Sequence, residues 1–235
     1  MSWTGFLAPL GAIVAAYLIG SLSFAVIISR LMGLADPRSY GSGNPGATNV
    51  LRSGHRGAAI MTLAFDVIKG YVPVFLALWL GGPYGLGPLT VAAVGLAAFV
   101  GHLWPVFFRF QGGKGVATAA GVLLALNPLL AAATLASFAL VVGFTRYVSL
   151  GSIVAAVFAP FYQLLIWGAE PALLTLVPMG LLLIWRHQGN IRKLLAGTES
   201  RLGQRVASAS SAGSTGPRSN TAAGAAAKRS KAGRR

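Results

Sequence analysis

The sequence contains no cysteine. Disulfides, thiolate nucleophiles, thiolate metal sites and a thioester acyl-enzyme are therefore excluded. Acidic residues are almost as scarce: Asp36, Asp66, Glu170 and Glu199 are the only four. Charged residues make up 10% of the chain, against about 25% in soluble domains. That deficit argues against a water-soluble fold. What fills the chain instead is apolar, 55% of its 235 residues. The formal net charge of +15 has almost no counterweight.

A strongly basic chain can indicate nucleic acid, but the placement of the cations speaks for a membrane and against nucleic acid as a partner. Eleven of the nineteen Lys and Arg lie at or after Arg186, and most others sit in short loops between apolar runs. This is the positive-inside pattern. Apolar runs occupy about 6–29, 57–80, 88–108, 149–168 and 171–185, and a sixth, 116–142, is interrupted by Asn127-Pro128. The first run has no basic flank on its N-terminal side and, at about 20 residues, is long enough to span. It reads as one retained helix entering from outside rather than as a signal peptide.

Loop charge sets the count of crossings. The loops 30–56 and 109–115 carry cations and belong inside; 81–87 carries none and belongs outside. If 116–142 crossed once, Arg146 and the Arg-rich tail would lie outside. If it crosses twice, or dips and returns, every basic loop is cytoplasmic. Each half is then about a dozen residues, short of the ~20 of a straight span. The expected fold is an all-α polytopic membrane helix bundle of about seven transmembrane helices, some short or re-entrant. Residues 1–200 form its integral membrane domain, and 201–235 a basic Ser/Ala/Gly/Lys/Arg-rich tail. From about Ser208 onward the tail has no apolar periodicity and is expected to be disordered and solvated. Asp66 and Lys69, three apart on one helix, are expected to pair as ions. Trp3, Trp79, Trp104, Trp167 and Trp185 fall near run ends, as aromatic belts do.

Four polar segments carry candidate chemistry. The first, Gly41-Ser42-Gly43-Asn44-Pro45-Gly46-Ala47-Thr48-Asn49-Val50-Leu51-Arg52, has glycines that let backbone amides turn toward an anion. Ser42, Thr48 and Asn49 add donors, and Arg52 a fork suited to phosphate. The second contains Gly112-Gly113-Lys114-Gly115 directly before an expected helix. It lacks the Ser or Thr of a nucleotide P-loop after Lys114. Even so, helix-start amides and an ammonium suit phosphate. In the third, Ser149 reads as an N-cap. The fourth joins Arg186, His187 and Asn190 with Arg192 and Lys193. Read singly, each segment has an ordinary alternative: a turn, a charge marker, a cap, a basic stop. Charge parity puts all four on one membrane face, which points to two phosphorylated substrates or one with several phosphates.

With those segments in view, the chain resembles the bacterial integral-membrane glycerol-3-phosphate acyltransferases that use acyl phosphate. The likeness runs from about residue 7 to 200. It is carried by 41–52, by Gly101-His102 through Gly112-Gly113-Lys114-Gly115-Val116-Ala117-Thr118, and by Arg186-His187 with Asn190-Ile191-Arg192. The stretches Asp66-Val67-Ile68-Lys69-Gly70 and Tyr147 to Ser152 are similar to family patterns too. The resemblance implies an inner-membrane enzyme of phospholipid synthesis with its N-terminus outside and its active-site loops and tail cytoplasmic. Its substrates are glycerol 3-phosphate and acyl phosphate, its product 1-acylglycerol 3-phosphate, and its surroundings membrane lipid. No cofactor and no metal are implied. A monomer is compatible with this reading, and the sequence leaves the oligomeric state open.

By position the resemblance makes Ser42, Lys114 and His187 catalytic. It makes Gly41, Gly43, Asn44, Thr48, Asn49, Arg52, Gly112, Gly113, Gly115, Ser149, Arg186 and Asn190 binding residues. The His-then-Asp arrangement of another acyltransferase group is missing: five residues after His55, His102 and His187 stand Ile60, Phe107 and Arg192. His102 is expected to pack at a helix end beside Trp104. Direct attack by the glycerol hydroxyl on an already activated donor fits this set, with the Gly-rich loops and Lys114 holding the departing phosphate. Arg52 and the His187–Asn190 segment would orient glycerol 3-phosphate. A transporter of phosphate esters or anions is the competing class, because broken helices and basic loops occur there also.

Overall fold

The computed structural model describes residues 4–204; Trp3 and the tail beyond Gln204 lie outside the described residues. Eleven α-helices and one 3-10 turn make up the described chain, which holds no strand. They are α1 (Thr4–Gly20), α2 (Phe24–Leu31), α3 (Ala47–Arg52), α4 (Arg56–Trp79), α5 (Gly81–Tyr84) and α6 (Pro88–Leu103), the last followed by the 3-10 turn Val106–Phe108. Then come α7 (Val116–Leu126), α8 (Pro128–Thr145), α9 (Val148–Ile166), α10 (Leu173–Arg186) and α11 (Gln188–Leu195).

Four segments are long and apolar enough to cross a membrane: α4, α6 with its 3-10 extension, α8 and α9. The pair α1–α2, bent by 46°, makes a fifth. Large apolar side chains such as Phe144, Trp79, Leu165 and Phe6 stand exposed on the outer surface. In water such a surface would aggregate; against lipid it is the expected exterior.

The first apolar run is thus two helices and not the single helix expected. The break falls at Ser21–Ser23. Lys69 Nζ reaches across from α4 and donates to the Leu22 carbonyl at 2.6 Å, taking up an acceptor in the broken segment. The same ammonium lies 2.8 Å from Asp66 Oδ1, and both side chains are 2–3% exposed. One buried ion pair therefore also holds the α1–α2 bend, which offsets part of its desolvation cost.

The sixth run divides at Asn127-Pro128 into two helices. Asn127 Oδ1 accepts from the amides of Leu129 (3.0 Å) and Leu130 (3.1 Å), an N-cap on α8, with Pro128 in the first turn. The second half is longer than the expected dozen residues: α8 has 18 and ends only at Thr145. α7 has 11. Three further helices were not expected: α3 inside the first polar loop, the short α5 inside the uncharged loop 81–87, and the amphipathic α11 after the last apolar run.

Close backbone approach organises the bundle. α4 meets α7 where Gly70 faces the Thr118 carbonyl and Gly121 faces the Val67 carbonyl; a Cβ on either glycine would overlap that oxygen. Without a hydrophobic force between helices in lipid, such small-residue contact supplies the packing. The result places the N-terminus of α7 against α4 and beside the end of α6. The principal core, including Phe99, Leu103, Val122, Leu130 and Leu176, lies between these helices and α8–α10.

Candidate active site

A single cavity of about 430 Å³ gathers residues from all four polar segments. Ser42, Asn44, Thr48, Asn49 and Arg52 come from the α3 region. Lys114 and Gly115 come from the start of α7, Ser149 from the start of α9, and His187 and Asn190 from the α10–α11 junction. Most of the remaining lining is apolar and comes from α7, α8, α9 and α10, with Leu63 and Val67 from α4; Asp66, His102, Thr134, Ser152 and Glu199 are its polar members. Gly41, Gly43, Gly112, Gly113 and Arg186 do not line it.

The polar end is wired side chain to side chain. Lys114 Nζ donates to Asn190 Oδ1. Asn190 Nδ2 donates to Glu199 Oε1 at 2.7 Å, and Ser149 Oγ donates to the same oxygen at 2.7 Å. Glu199 is thus the acceptor that joins α9 to α11, and sequence reasoning gave it no role. A signal existed: it is one of four acidic residues in a chain of net charge +15. The segment around it is tied down by Arg52 Nη2 to the Ser200 carbonyl (3.5 Å), the Leu202 amide to the Arg146 carbonyl (2.7 Å) and Arg146 Nη2 to the Leu202 carbonyl (3.0 Å).

Several expected roles change on this geometry. Ser149 is not an N-cap: Tyr147 holds that position without a side-chain cap bond, and the Ser149 hydroxyl turns to Glu199 instead. Asn49 lines the cavity but has its amide engaged within its own loop. It accepts from the Ser42 amide (3.0 Å) and donates to the carbonyls of Pro37 (2.7 Å) and Tyr40 (3.2 Å). It braces the loop that carries Ser42 and has little left for a ligand. The Gly112-Gly113 pair does not offer free amides to the cavity. The Gly113 amide donates to the His102 carbonyl at 3.2 Å. The carbonyls of Gly112 and Gly113 accept from Arg186 Nη2 (2.7 Å) and Nε (3.1 Å). Arg186 is therefore a brace behind the Lys114 loop and not part of a clamp in front of it. Gly41 and Gly43 serve the turn itself, at φ 59° and 66°.

Gly115 is the glycine that the site itself requires. Its φ is 83°, and a Cβ there would run into Phe99 and Leu103. It turns the chain from the Lys114 loop into α7, so that the first turn of α7, with Val116 and Ala117, borders the cavity. Unpaired first-turn amides and the dipole's positive end then face the same space as the ammonium. His102, expected beside Trp104, is buried and lines the cavity. Its Nδ1 lies 3.0 Å from Thr118 Oγ1 and 3.7 Å from Asp66 Oδ1.

Burial pushes the Lys114 ammonium down from 10.5 to about 8, opposed by the Glu199 carboxylate and reinforced by Arg52, Lys193 and Arg186. His187 is pushed from 6.5 to about 4, first by burial and then by the nearby Lys114 charge. It is neutral at pH 7. Its Nδ1 lies 2.8 Å from the Leu183 carbonyl. A carbonyl only accepts, so Nδ1 carries the proton and Nε2 holds the lone pair. The cavity therefore offers cations for phosphate, a neutral imidazole that accepts a hydrogen bond, and an apolar arm. Among the described residues no group of three metal-ligating side chains converges.

The sequence profile described as glycerol-3-phosphate acyltransferase matches residues 10–197. Glycerol-3-phosphate acyltransferase of Paraburkholderia phytofirmans is 59% identical over 192 residues, 82% of this chain and 90% of the relative. That of Ralstonia nicotianae is 60% identical over 192 residues, 82% and 93% of the two chains. The crystal structure of PlsY, an integral membrane glycerol 3-phosphate acyltransferase, superimposes in its glycerol 3-phosphate form with a TM-score of 0.77. It is 38% identical and covers 83% of this chain and 96% of that one. Its lysophosphatidic acid form gives 0.76 at 37% identity. This chain is a multi-pass membrane protein that belongs to the glycerol-3-phosphate acyltransferase family.

Proposed function

We propose that the protein transfers an acyl group from acyl phosphate to glycerol 3-phosphate, giving 1-acylglycerol 3-phosphate and inorganic phosphate. The observation that carries this reading is one cavity with two unlike ends. Arg52, Lys114, Ser149, His187 and Asn190 stand at the polar end, and the apolar arm runs down among α7–α10. Such a space accommodates a phosphoester and an acyl chain together. Family membership supplies the acceptor; the acyl phosphate donor is what the resemblance implies, and an already activated donor is compatible with the missing His-then-Asp arrangement.

The hydroxyl oxygen of glycerol 3-phosphate attacks the donor carbonyl carbon. The new ester bond forms as the acyl–phosphate C–O bond breaks, and the hydroxyl proton leaves with the departing phosphate. Lys114 and the amides opening α7 stabilise that phosphate. Ser42, Asn44, Thr48 and Arg52 hold the second phosphoester, and His187 Nε2 accepts from the attacking hydroxyl to orient it. No cofactor enters the scheme.

The membrane arrangement we favour has seven passages: the bent α1–α2 pair, α4, α6, the short α7, α8, α9 and the short α10. Loop charge then sets the site and the tail on the cytoplasmic side of the inner membrane, with the N-terminus outside. Residues 1–200 act as one catalytic domain. The test is purified protein in detergent with both substrates, reading phosphate and lysophosphatidic acid. Release dependent on glycerol 3-phosphate and acyl phosphate, with acyl-CoA inactive, is expected. Product from acyl-CoA alone overturns the donor, and uptake into sealed vesicles without product selects a carrier.

A further inference from the structure

The apolar arm has a closed base, formed by four buried side chains, two of them from α9 and α10. Ala159 on α9 and Leu176 on α10 both line the cavity and are 4% and 1% exposed. Ala131 of α8 and Leu123 of α7 complete the base and are equally inaccessible. Behind them lies core, including Val122 and Leu130. Leu124, next to Leu123 on α7, and Leu135, one turn along α8 from Ala131, also line the arm and are 41% and 48% exposed. The arm is therefore shut at its end by buried side chains and flanked by two exposed leucines.

Its depth follows from helix rise. Ala159 lies ten residues along α9 from Ser149, and Leu176 eleven residues back along α10 from His187. At 1.5 Å per residue, both measures give roughly 15 Å between the polar groups and the base. At an advance of roughly 1.3 Å per carbon, an extended chain reaches the base after about a dozen carbons over that helical length. A donor already dissolved in lipid gains little by moving its methylenes into protein, because lipid tails are as apolar as leucine. Length discrimination must then come from what a chain meets at the end of the arm.

We infer that Ala159 and Leu176 are the residues that discriminate acyl chains longer than about twelve carbons, Ala159 by leaving room and Leu176 by closing it. This rests on the reading of the cavity as an acyl-transfer site. Shorter chains end before the base and are indifferent to both side chains. Longer chains must press on it or turn aside.

The experiment is competition between decanoyl phosphate and hexadecanoyl phosphate on the full-length protein, with glycerol 3-phosphate saturating and the two products separated by mass. Ala159→Leu fills the base and is expected to lower the long-to-short product ratio about tenfold. Leu176→Ala opens it and is expected to raise the ratio several-fold. A general loss of stability moves both products together and leaves the ratio alone. If both variants keep the wild-type ratio, or shift it in the same direction, the assignment is wrong. Should Ala159→Leu fail to fold, Leu176→Ala alone decides. Wild-type protein that turns over neither donor refutes the acyl-transfer reading instead, so the two failures are distinct.

Discussion

Lys114 is the residue whose ionisation the cavity most directly controls, and its alkaline limb is measurable. Burial brings its ammonium to about 8 in the unliganded site. The specificity constant kcat/KM reports groups of the free enzyme. It should therefore fall through pH 8 and stand about tenfold lower at pH 9 than on the plateau, one pH unit past the transition. The limb in kcat should lie higher, because a bound phosphate opposite the ammonium favours its charged form. Two variants test the assignment. Lys114→Arg keeps a permanent charge; its absolute rate should drop, since a planar fork replaces a point charge against Asn190, but the alkaline limb should vanish. Glu199→Gln removes the carboxylate that favours the Lys114 charge, so the limb should move below pH 8. The assay is initial-rate phosphate release in detergent from pH 6.5 to 10, corrected for spontaneous donor hydrolysis. A wild-type kcat/KM that stays flat to pH 9.5, or a limb unchanged in Lys114→Arg, refutes the role of this ammonium.

The remaining predictions concern stability. His187 binds its proton only near pH 4 when folded, against 6.5 when unfolded. Between those values the unfolded chain holds the extra proton, so stability falls as pH drops. From pH 7 to 4 wild type should lose about 3 kcal/mol more than His187→Gln, read as the difference in thermal unfolding in detergent; equal losses would mean that the imidazole is not held neutral. Gly70→Ala sets a Cβ against the Thr118 carbonyl and should cost about 1–3 kcal/mol by overpacking. Because α7 begins at the Lys114 loop, activity should fall along with Tm, and an unchanged Tm would refute the close contact.

Much of the fold was readable because the bilayer imposes simple rules. Apolar run lengths located α4, α6, α9 and α10, and Asn127-Pro128 marked a true helix boundary through its cap and its missing donor, although α8 beyond it runs on to Thr145. The α1–α2 bend was not readable. It depends on Lys69 reaching Leu22 from 47 residues away, and nothing in a run of apolar residues announces that partner. α3 was hidden for a similar reason: a glycine-rich stretch has weak local preference, and Asn49 fixes it by bonding within the loop.

The site shows the same division. Residue type and local spacing pointed to Arg52, Lys114, His187 and Asn190, since cations, an imidazole and an amide near glycines suit phosphate wherever they meet. Which groups remain available to a ligand was decided by tertiary contact alone. Arg186 and the Gly112-Gly113 backbone satisfy each other, Ser149 turns from helix cap to partner of Glu199, and Glu199 joins the cavity from beyond the last apolar helix. The sequence by itself determined the membrane, the polar segments and the chemistry they carry. Only the folded chain determined which donors and acceptors are already paired, because a buried polar group must find its partner in space, at any separation along the chain.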